Sequence, residues 1–236
     1  NQELAKEQVK TTPLEAVDLN QVSAEKISRI LTNISEIDRC FGGGLVKGSL
    51  ILISGEPGIG KSTLMLHLLE NQKIAYLTND RLFVRQEQGR AQAVGIPKLP
   101  RINPGTIVHN PRLRALIPEA EREALLRLPP EDLWELEDKH DVFIDQIYGS
   151  ERIAERGRLA AFLVLNWQRD SEQATQVRHV DLQQRPELLD AIMKSPGPFY
   201  QDVDGHLYRD STPLDRDAYL AALADTVVYE VSGAVD

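Results

Sequence analysis

The hydrophobic pattern of the chain changes period several times. Residues 49–54, Ser-Leu-Ile-Leu-Ile-Ser, form a short continuous apolar run, which predicts a strand buried on both faces. Residues 62–70 carry Leu64, Leu68 and Leu69 at helical spacing, and a helix is expected there. The run 73–78 reads as a second strand ending at Asn79-Asp80, with 82–85 continuing extended and a turn around Gly89. Pro97, Pro100, Pro104 and Pro111 punctuate residues 95–111 and argue against a regular helix there. Helices are expected over 118–127 and 130–140, each opened by a proline and early acids. An apolar strand follows at 159–167 and a shorter extended piece at 178–182. Helices are then expected at 186–193 and 215–224, and a closing strand at 227–231. Strands and helices alternate, so the fold class is α/β. Residues 1–26 are polar with weak apolar spacing and read as a linker or loosely attached segment, leaving 27–236 as one domain.

Composition narrows the classes. The chain is 42% hydrophobic and 27% charged, enough apolar material for a core. A net charge of -9 argues against a protein that coats nucleic acid electrostatically. The lone cysteine, Cys40, excludes an internal disulfide framework and suits a reducing compartment. No stretch approaches the ~18 apolar residues of a membrane span, so no membrane role is expected and the expected location is cytoplasmic. The five histidines lack metal spacing of the H-x-x-x-H kind, and no zinc site is expected. Basic residues switch type along the chain. Residues 1–72 hold five Lys and two Arg, whereas 73–236 hold four Lys and sixteen Arg, which suggests different histories for the two stretches.

The chemistry concentrates after the first apolar strand. Gly55, Glu56, Pro57, Gly58, Ile59, Gly60, Lys61 and Ser62, followed by Thr63, fit G-x-x-x-x-G-K-[ST] at every position. Glycines let backbone N–H groups turn toward phosphates, and the helix beginning near Lys61 adds its positive dipole end. Lys61 is suited to the β- and γ-phosphates and the Ser62 hydroxyl to Mg²⁺, which makes ATP with magnesium the expected ligand. Asp80 stands nineteen positions beyond Lys61, at the end of the expected second strand. A carboxylate there faces the ligand crevice of an open α/β sheet, where it can hold Mg²⁺ or accept a hydroxyl proton. A turn-forming Asn-Asp pair is the plainer account. Lys98 and Arg101, in the proline-rich stretch, and Lys194, in a second proline loop, are candidate phosphate or substrate contacts; the plainer account is solvated charge on connectors. Trp134, Trp167, Phe199 and Tyr200 are candidates for lining a binding groove; the plainer account, and the expected one, is core packing.

Two resemblances attach to these motifs. Residues 27–66, with Ile37-Asp38-Arg39-Cys40-Phe41-Gly42-Gly43-Gly44 and Lys47-Gly48-Ser49 leading into the phosphate loop, resemble the start of the RadA/Sms ATPase core, a bacterial RecA-like family of recombinational repair. That resemblance implies a DNA-stimulated ATPase, but Asn79-Asp80 stands where the family carries a catalytic glutamate, and 162–165 ends in Asn166-Trp167 without an acid. From about residue 64 onward the chain is similar to the HPr kinase-related proteins, the group called HprK-related kinase B. The matching pieces are Leu77-Thr-Asn-Asp-Arg-Leu82, Gly95-Ile-Pro-Lys-Leu-Pro-Arg-Ile-Asn-Pro-Gly105, Leu133-Trp134, Met193-Lys-Ser-Pro-Gly-Pro-Phe-Tyr200 and Tyr229-Glu230. This second resemblance implies an HPr kinase and phosphoenolpyruvate carboxykinase-like mixed sheet with flanking helices. It also implies a P-loop that transfers the γ-phosphoryl group of ATP to a serine of a small protein partner. Such kinases commonly carry two consecutive aspartates after the second strand; here the first is Asn79, so Asp80 alone can serve as base. The pair of resemblances reads as a RadA-like front joined to a kinase-like remainder, with a homo-oligomer left open. A nucleotide-binding module without catalysis is the third reading.

Overall fold

A computed structural model describes residues 28–168, 170–195, 200–201, 204–207 and 213–234. The expected linker 1–26 lies outside the described residues, as do 196–199 of the second proline loop, Phe199 included. The described residues begin with β1 (Arg29–Ile30), which pairs antiparallel with β2 (Leu45–Val46) across α1 (Ser35–Cys40). Then come β3 (Ser49–Gly55), α2 (Lys61–Leu69) and the hairpin β4 (Leu82–Glu87) with β5 (Arg90–Gly95). A mainly helical stretch follows: β6 (Arg101–Ile102), α3 (Pro104–His109), α4 (Glu119–Leu125), α5 (Pro130–Glu135), β7 (His140–Asp141) and α6 (Ile144–Ile147). The chain closes with β8 (Arg156–Leu165), β9 (Gln176–His179), α7 (Pro186–Ile192), α8 (Arg216–Ala222) and β10 (Val227–Ser232).

β8 organises a mixed sheet. β3 runs parallel along one edge of it, from Ser49↔Arg158 to Gly55↔Leu165, and β10 runs parallel along the other, to Val231↔Leu165. β9 adds antiparallel to β10. Arg158 pairs with both Ser49 and Gln92, so the β4–β5 hairpin takes the same edge of β8 that β10 takes further along. Gly55, Leu165 and Val231 thus lie side by side at the carboxyl ends of three parallel strands, which is where an α/β sheet presents a ligand crevice.

The register of β3 against β8 slips between Leu50 and Ile51, which oppose Leu159 and Ala161. The extra residue, Ala160, reverses the alternation. Leu159, Phe162 and Val164 consequently share one face, packed with Leu50, Leu52 and Val228 beneath Leu188 and Leu189 of α7. Leu163 and Leu165 point the other way, with Ile51, Ile53 and Val231, under Ile37 of α1 and Leu64 of α2. The outer side of α2 sends Leu66 and Leu69 into a third cluster with Ile107, Val108, Leu113, Val142 and Ile144. Each such side chain, fully buried, contributes about 1.5–3 kcal/mol, so α2 is gripped from both sides and the loop before it inherits a fixed helix.

Several expectations are corrected. Residues 73–78 do not form a strand; only Tyr76 bridges, in parallel, to Ile153, with its N–H on the Arg152 carbonyl and its own carbonyl accepting Ala154 N–H, each at 2.7 Å. The apolar pattern was misleading because Tyr76 turns into the helical cluster, its hydroxyl bonded to the Lys98 carbonyl. β3 is not buried on both faces: all seven of its residues are part-exposed, and among the described residues it pairs with β8 alone. The proline-rich stretch does hold a helix, α3, because Pro104 occupies its first position, where a missing N–H costs nothing. The helix expected over 130–140 ends at Glu135. The glycine-rich segment that resembles the RadA core begins inside a helix: Asp38 to Cys40 belong to α1, and a turn follows them, its Gly43 and Gly44 N–H groups bonded to the Asp38 carbonyl at 2.8 and 3.1 Å. No helix among the described residues is long and apolar enough to cross a membrane.

Candidate functional site

The phosphate-loop sequence leaves β3 and enters α2 at the crevice. Gly55 has φ +141, and a Cβ there would sit 2.6 Å from the Leu165 carbonyl oxygen, so β3 and β8 approach too closely for any side chain. Gly58 has φ +85, and a Cβ there would meet nothing within 4 Å, so this part of the loop faces open space. Gly60 caps α2 in the left-handed region, and its carbonyl accepts Leu64 N–H at 2.9 Å. Lys61 Nζ donates to the carbonyls of Gly55 at 2.7 Å and Glu56 at 2.6 Å, which holds the ammonium inside the loop. Burial lowers the Lys61 pKa, helped by the nearby Lys194 and opposed by Glu56. Trp167, just past the end of β8, donates its indole N–H to the Ile59 carbonyl at 2.8 Å and braces the loop from the sheet side.

The first turn of α2 faces the segment after Tyr76. Ser62 Oγ donates to Asn79 Oδ1 at 3.1 Å, and the hydroxyls of Thr63 and Thr106 lie 2.8 Å apart. Asp80 stands in the bend before β4 rather than at a strand end, so the strand-end argument for it does not hold. Its position comes instead from Asn79 beside it and from three cations. Lys98 Nζ and Arg81 Nη1 reach Oδ2 at 2.8 and 3.4 Å, and Lys194 Nζ lies 3.6 Å from Oδ1. Burial pushes the carboxyl pKa up, but Lys98, Lys194 and Arg81 outweigh it and the net shift is downward, so Asp80 is ionised at neutral pH.

Of the charges singled out in the sequence, Lys98 and Lys194 meet at Asp80. Arg101 is not brought there; it lies on β6 with its guanidinium 3.4 Å from Asp141, and both side chains are more than half exposed. Trp134 and Tyr200, expected in the core, are exposed, and Trp167 lies against the loop. A second polar group lies at the same sheet end, around a residue that the sequence marks only through the Tyr229-Glu230 match and not as part of a site. Glu230 in β10 accepts two bonds from Arg185, at 2.8 and 2.9 Å, and a third from Asn166 Nδ2 at 2.8 Å. The signal available was a lone acid inside the apolar run 227–231. The Arg185 and Asn166 bonds hold the Glu230 carboxyl below the usual carboxylate range despite its burial.

Ser62 Oγ, Asn79 Oδ1 and the Asp80 carboxylate are hard oxygen donors of the kind magnesium takes, and the open face at Gly58 with Lys61 behind it suits a chain of phosphates. Elsewhere, Glu121 of α4 comes together with Asp138 and His140, their ligand atoms within 4.8 Å of one another; spacing along the chain does not reveal this group, because Glu121 belongs to another element.

Comparison with known proteins agrees with this geometry in part. Residues 30–87 match the family described as ATPase: KaiC, about a quarter of the chain, and the match continues past residue 66 through Asp80 and β4. DNA repair protein RadA of Listeria monocytogenes is 37% identical over 89 residues, 36% of this chain and 19% of that protein. RadA of Escherichia coli is 42% identical over 83 residues, 34% and 18% respectively, and RadA of Pseudomonas aeruginosa 55% over 53 residues, 22% and 12%. The chain therefore spans less than a fifth of the length of these curated relatives. Among solved structures, the HPr(Ser) kinase/phosphatase from Coxiella burnetii aligns over 79% of this chain and 72% of its own, at 14% identity and a TM-score of 0.34, a likeness too low to carry weight. The molecule is thus a mixed α/β sheet with flanking helices, and the segment that carries its glycine-rich loop is similar to P-loop ATPases of the KaiC and RadA kind.

Proposed function

We propose that the chain binds ATP with magnesium at Gly55–Ser62 and transfers the γ-phosphoryl group to a serine hydroxyl of a small protein partner. The observation that carries this reading is that the loop is tied to the segment bearing an ionised carboxylate: Ser62 Oγ donates to Asn79 Oδ1, and Asp80 is the next residue. Bound ATP would supply the transferable phosphoryl group, with magnesium offsetting its charge. Lys61 and the loop amides stabilise negative charge, and Ser62 and Asp80 are the residues suited to hold the metal. Asp80 is also the group suited to orient an acceptor hydroxyl and take its proton. Lys98 and Lys194 add positive charge on the acceptor side.

A second reading, hydrolysis of ATP stimulated by single-stranded DNA, is favoured by the similarity of residues 30–87 to KaiC- and RadA-type ATPases. Incubation with γ-labelled ATP, Mg²⁺ and a bacterial lysate separates the two, comparing wild type with Lys61→Ala and Asp80→Asn, with and without single-stranded DNA. The expected result is label on a protein band with wild type alone, Lys61→Ala failing to bind ATP, and Asp80→Asn binding it while transfer falls by about 10²–10⁴. Phosphate release that requires DNA overturns the kinase reading in favour of the second. Binding without transfer or release would leave a nucleotide-binding module.

A further inference from the structure

Lys194 is presented in an unusual way. It follows α7, and its main chain is clamped from α8: the Tyr219 hydroxyl donates to the Lys194 carbonyl at 2.5 Å and accepts the Lys194 N–H at 3.2 Å. One residue on, the Ser195 carbonyl accepts Arg81 Nε at 3.0 Å. The backbone is thus pinned on both sides of the Lys194 side chain, which is itself 60% exposed and reaches Asp80 Oδ1 only loosely, at 3.6 Å. A loose, exposed ion pair is ordinarily worth little. A two-sided clamp on the backbone that carries it is not what a solvated lysine needs.

The charge balance around it is uneven. Among the described residues, Lys61, Lys98 and Lys194 gather near the carboxylates of Asp80 and Glu56. Like charges gathered in this way are favourable around a denser anion. Lys61 lies in the loop itself, whereas Lys194 approaches from the side of Asp80, beyond the loop. Lys98 holds Asp80 at 2.8 Å, so Lys194 is the more weakly held of the two lysines.

The geometry points to Lys194 as the residue that distinguishes a nucleoside triphosphate from a diphosphate, with Tyr219 as the positioning residue that aims it. The inference rests on the nucleotide reading of the loop. Lys194 exchanges Asp80 Oδ1 for a terminal phosphoryl oxygen, and this exchange bares Oδ1 to an incoming hydroxyl or metal. Recognition of the third phosphate and readiness of the carboxylate are then one event.

Calorimetric titration of the whole chain with ADP and with a non-hydrolysable ATP analogue, each with Mg²⁺, tests this. Lys194→Ala is expected to weaken the triphosphate by about tenfold or more while ADP changes by less than about twofold. Lys194→Arg keeps the preference. Tyr219→Phe loses part of it, with ADP affinity and thermal midpoint unchanged, a pattern that a merely structural role does not produce. Equal weakening of both nucleotides in Lys194→Ala, or no weakening, overturns the inference while leaving the loop reading intact. Loss of ADP binding or of thermal stability in Tyr219→Phe overturns its positioning role. A wild type that binds neither nucleotide sinks the loop reading and this inference with it.

Discussion

Arg152 offers a test of how the phosphate-loop helix is fastened. Its side chain is buried at 7% exposure just ahead of β8, and the partners of its guanidinium are backbone carbonyls. Nε donates to Ile74 at 2.7 Å, and Nη2 donates to Leu69 at 2.7 Å and to Asn71 at 2.9 Å. Leu69 closes α2, so the cation satisfies carbonyls that a helix terminus leaves without partners and sits at the negative end of the helix dipole. Arg152→Met keeps most of the stem and takes the guanidinium from the Leu69 and Ile74 carbonyls, whereas the Asn71 carbonyl keeps the Ile74 N–H at 3.0 Å. Hydrogen bonds to a charged group are worth about 1.5–3 kcal/mol each. Part of that is returned, because the mutant no longer pays for desolvating a guanidinium. A net loss of about 3 kcal/mol is expected, within the range seen when one partner of a buried charged network is removed. For a domain of this size about 2–4 °C accompany each kcal/mol, so the midpoint should fall by about 6–12 °C. Thermal melting by circular dichroism, with urea titration to check that the m-value is unchanged, measures it. A fall below about 2 °C would mean that water serves these carbonyls equally well and that Arg152 is not what holds the end of α2.

Three further outcomes are expected. Gly55→Ala places a methyl 2.6 Å from the Leu165 carbonyl at a left-handed φ, and should cost about 2–4 kcal/mol by denaturant titration; wild-type stability would show that β3 and β8 have room to part. Glu230 titrates below its ordinary value of 4.5, so its contribution is complete above that pH and is lost as the pH falls through the folded value. Glu230→Gln should therefore flatten the acid limb of the stability profile below about pH 4.5, and an unchanged limb would refute the pairing with Arg185. Trp167 should carry the nucleotide-dependent change in fluorescence, so that Trp134→Phe retains it and Trp167→Phe abolishes it; the reverse pattern would detach Trp167 from the loop.

The sequence was most legible where chemistry and periodicity coincide. The strand, glycine loop and helix at 49–70 could be read directly, because each glycine answers a local backbone need and the apolar run is continuous. α4, α7, α8 and β10 came out within a few residues of their expected ends because prolines, acids and apolar spacing mark them. Residues 73–78 misled because a tyrosine in an alternating run looks the same whether it enters a sheet or a helical cluster. α3 was hidden by the assumption that a proline opposes a helix, when Pro104 begins one. The surroundings of Asp80 were half visible. Its charge and its distance from Lys61 could be read, but its ring of cations is assembled from Arg81, Lys98 and Lys194, and nothing local says that the last of these returns across more than a hundred positions. The pairing of Glu230 with Arg185 was illegible for the same reason.

The pairing of β3 with β8 also has a bearing on how the chain is made. Ile53 finds its partner in Leu163, about 110 positions later, and the helical stretch lies between them. At about 5–20 residues per second, a ribosome needs roughly 5–20 s to deliver that partner. During this interval Ser49–Gly55, an apolar strand with both edges open, waits in the nascent chain, which is the condition under which strands seek one another and aggregate. Slower synthesis between residues 70 and 160 should therefore lower the soluble yield.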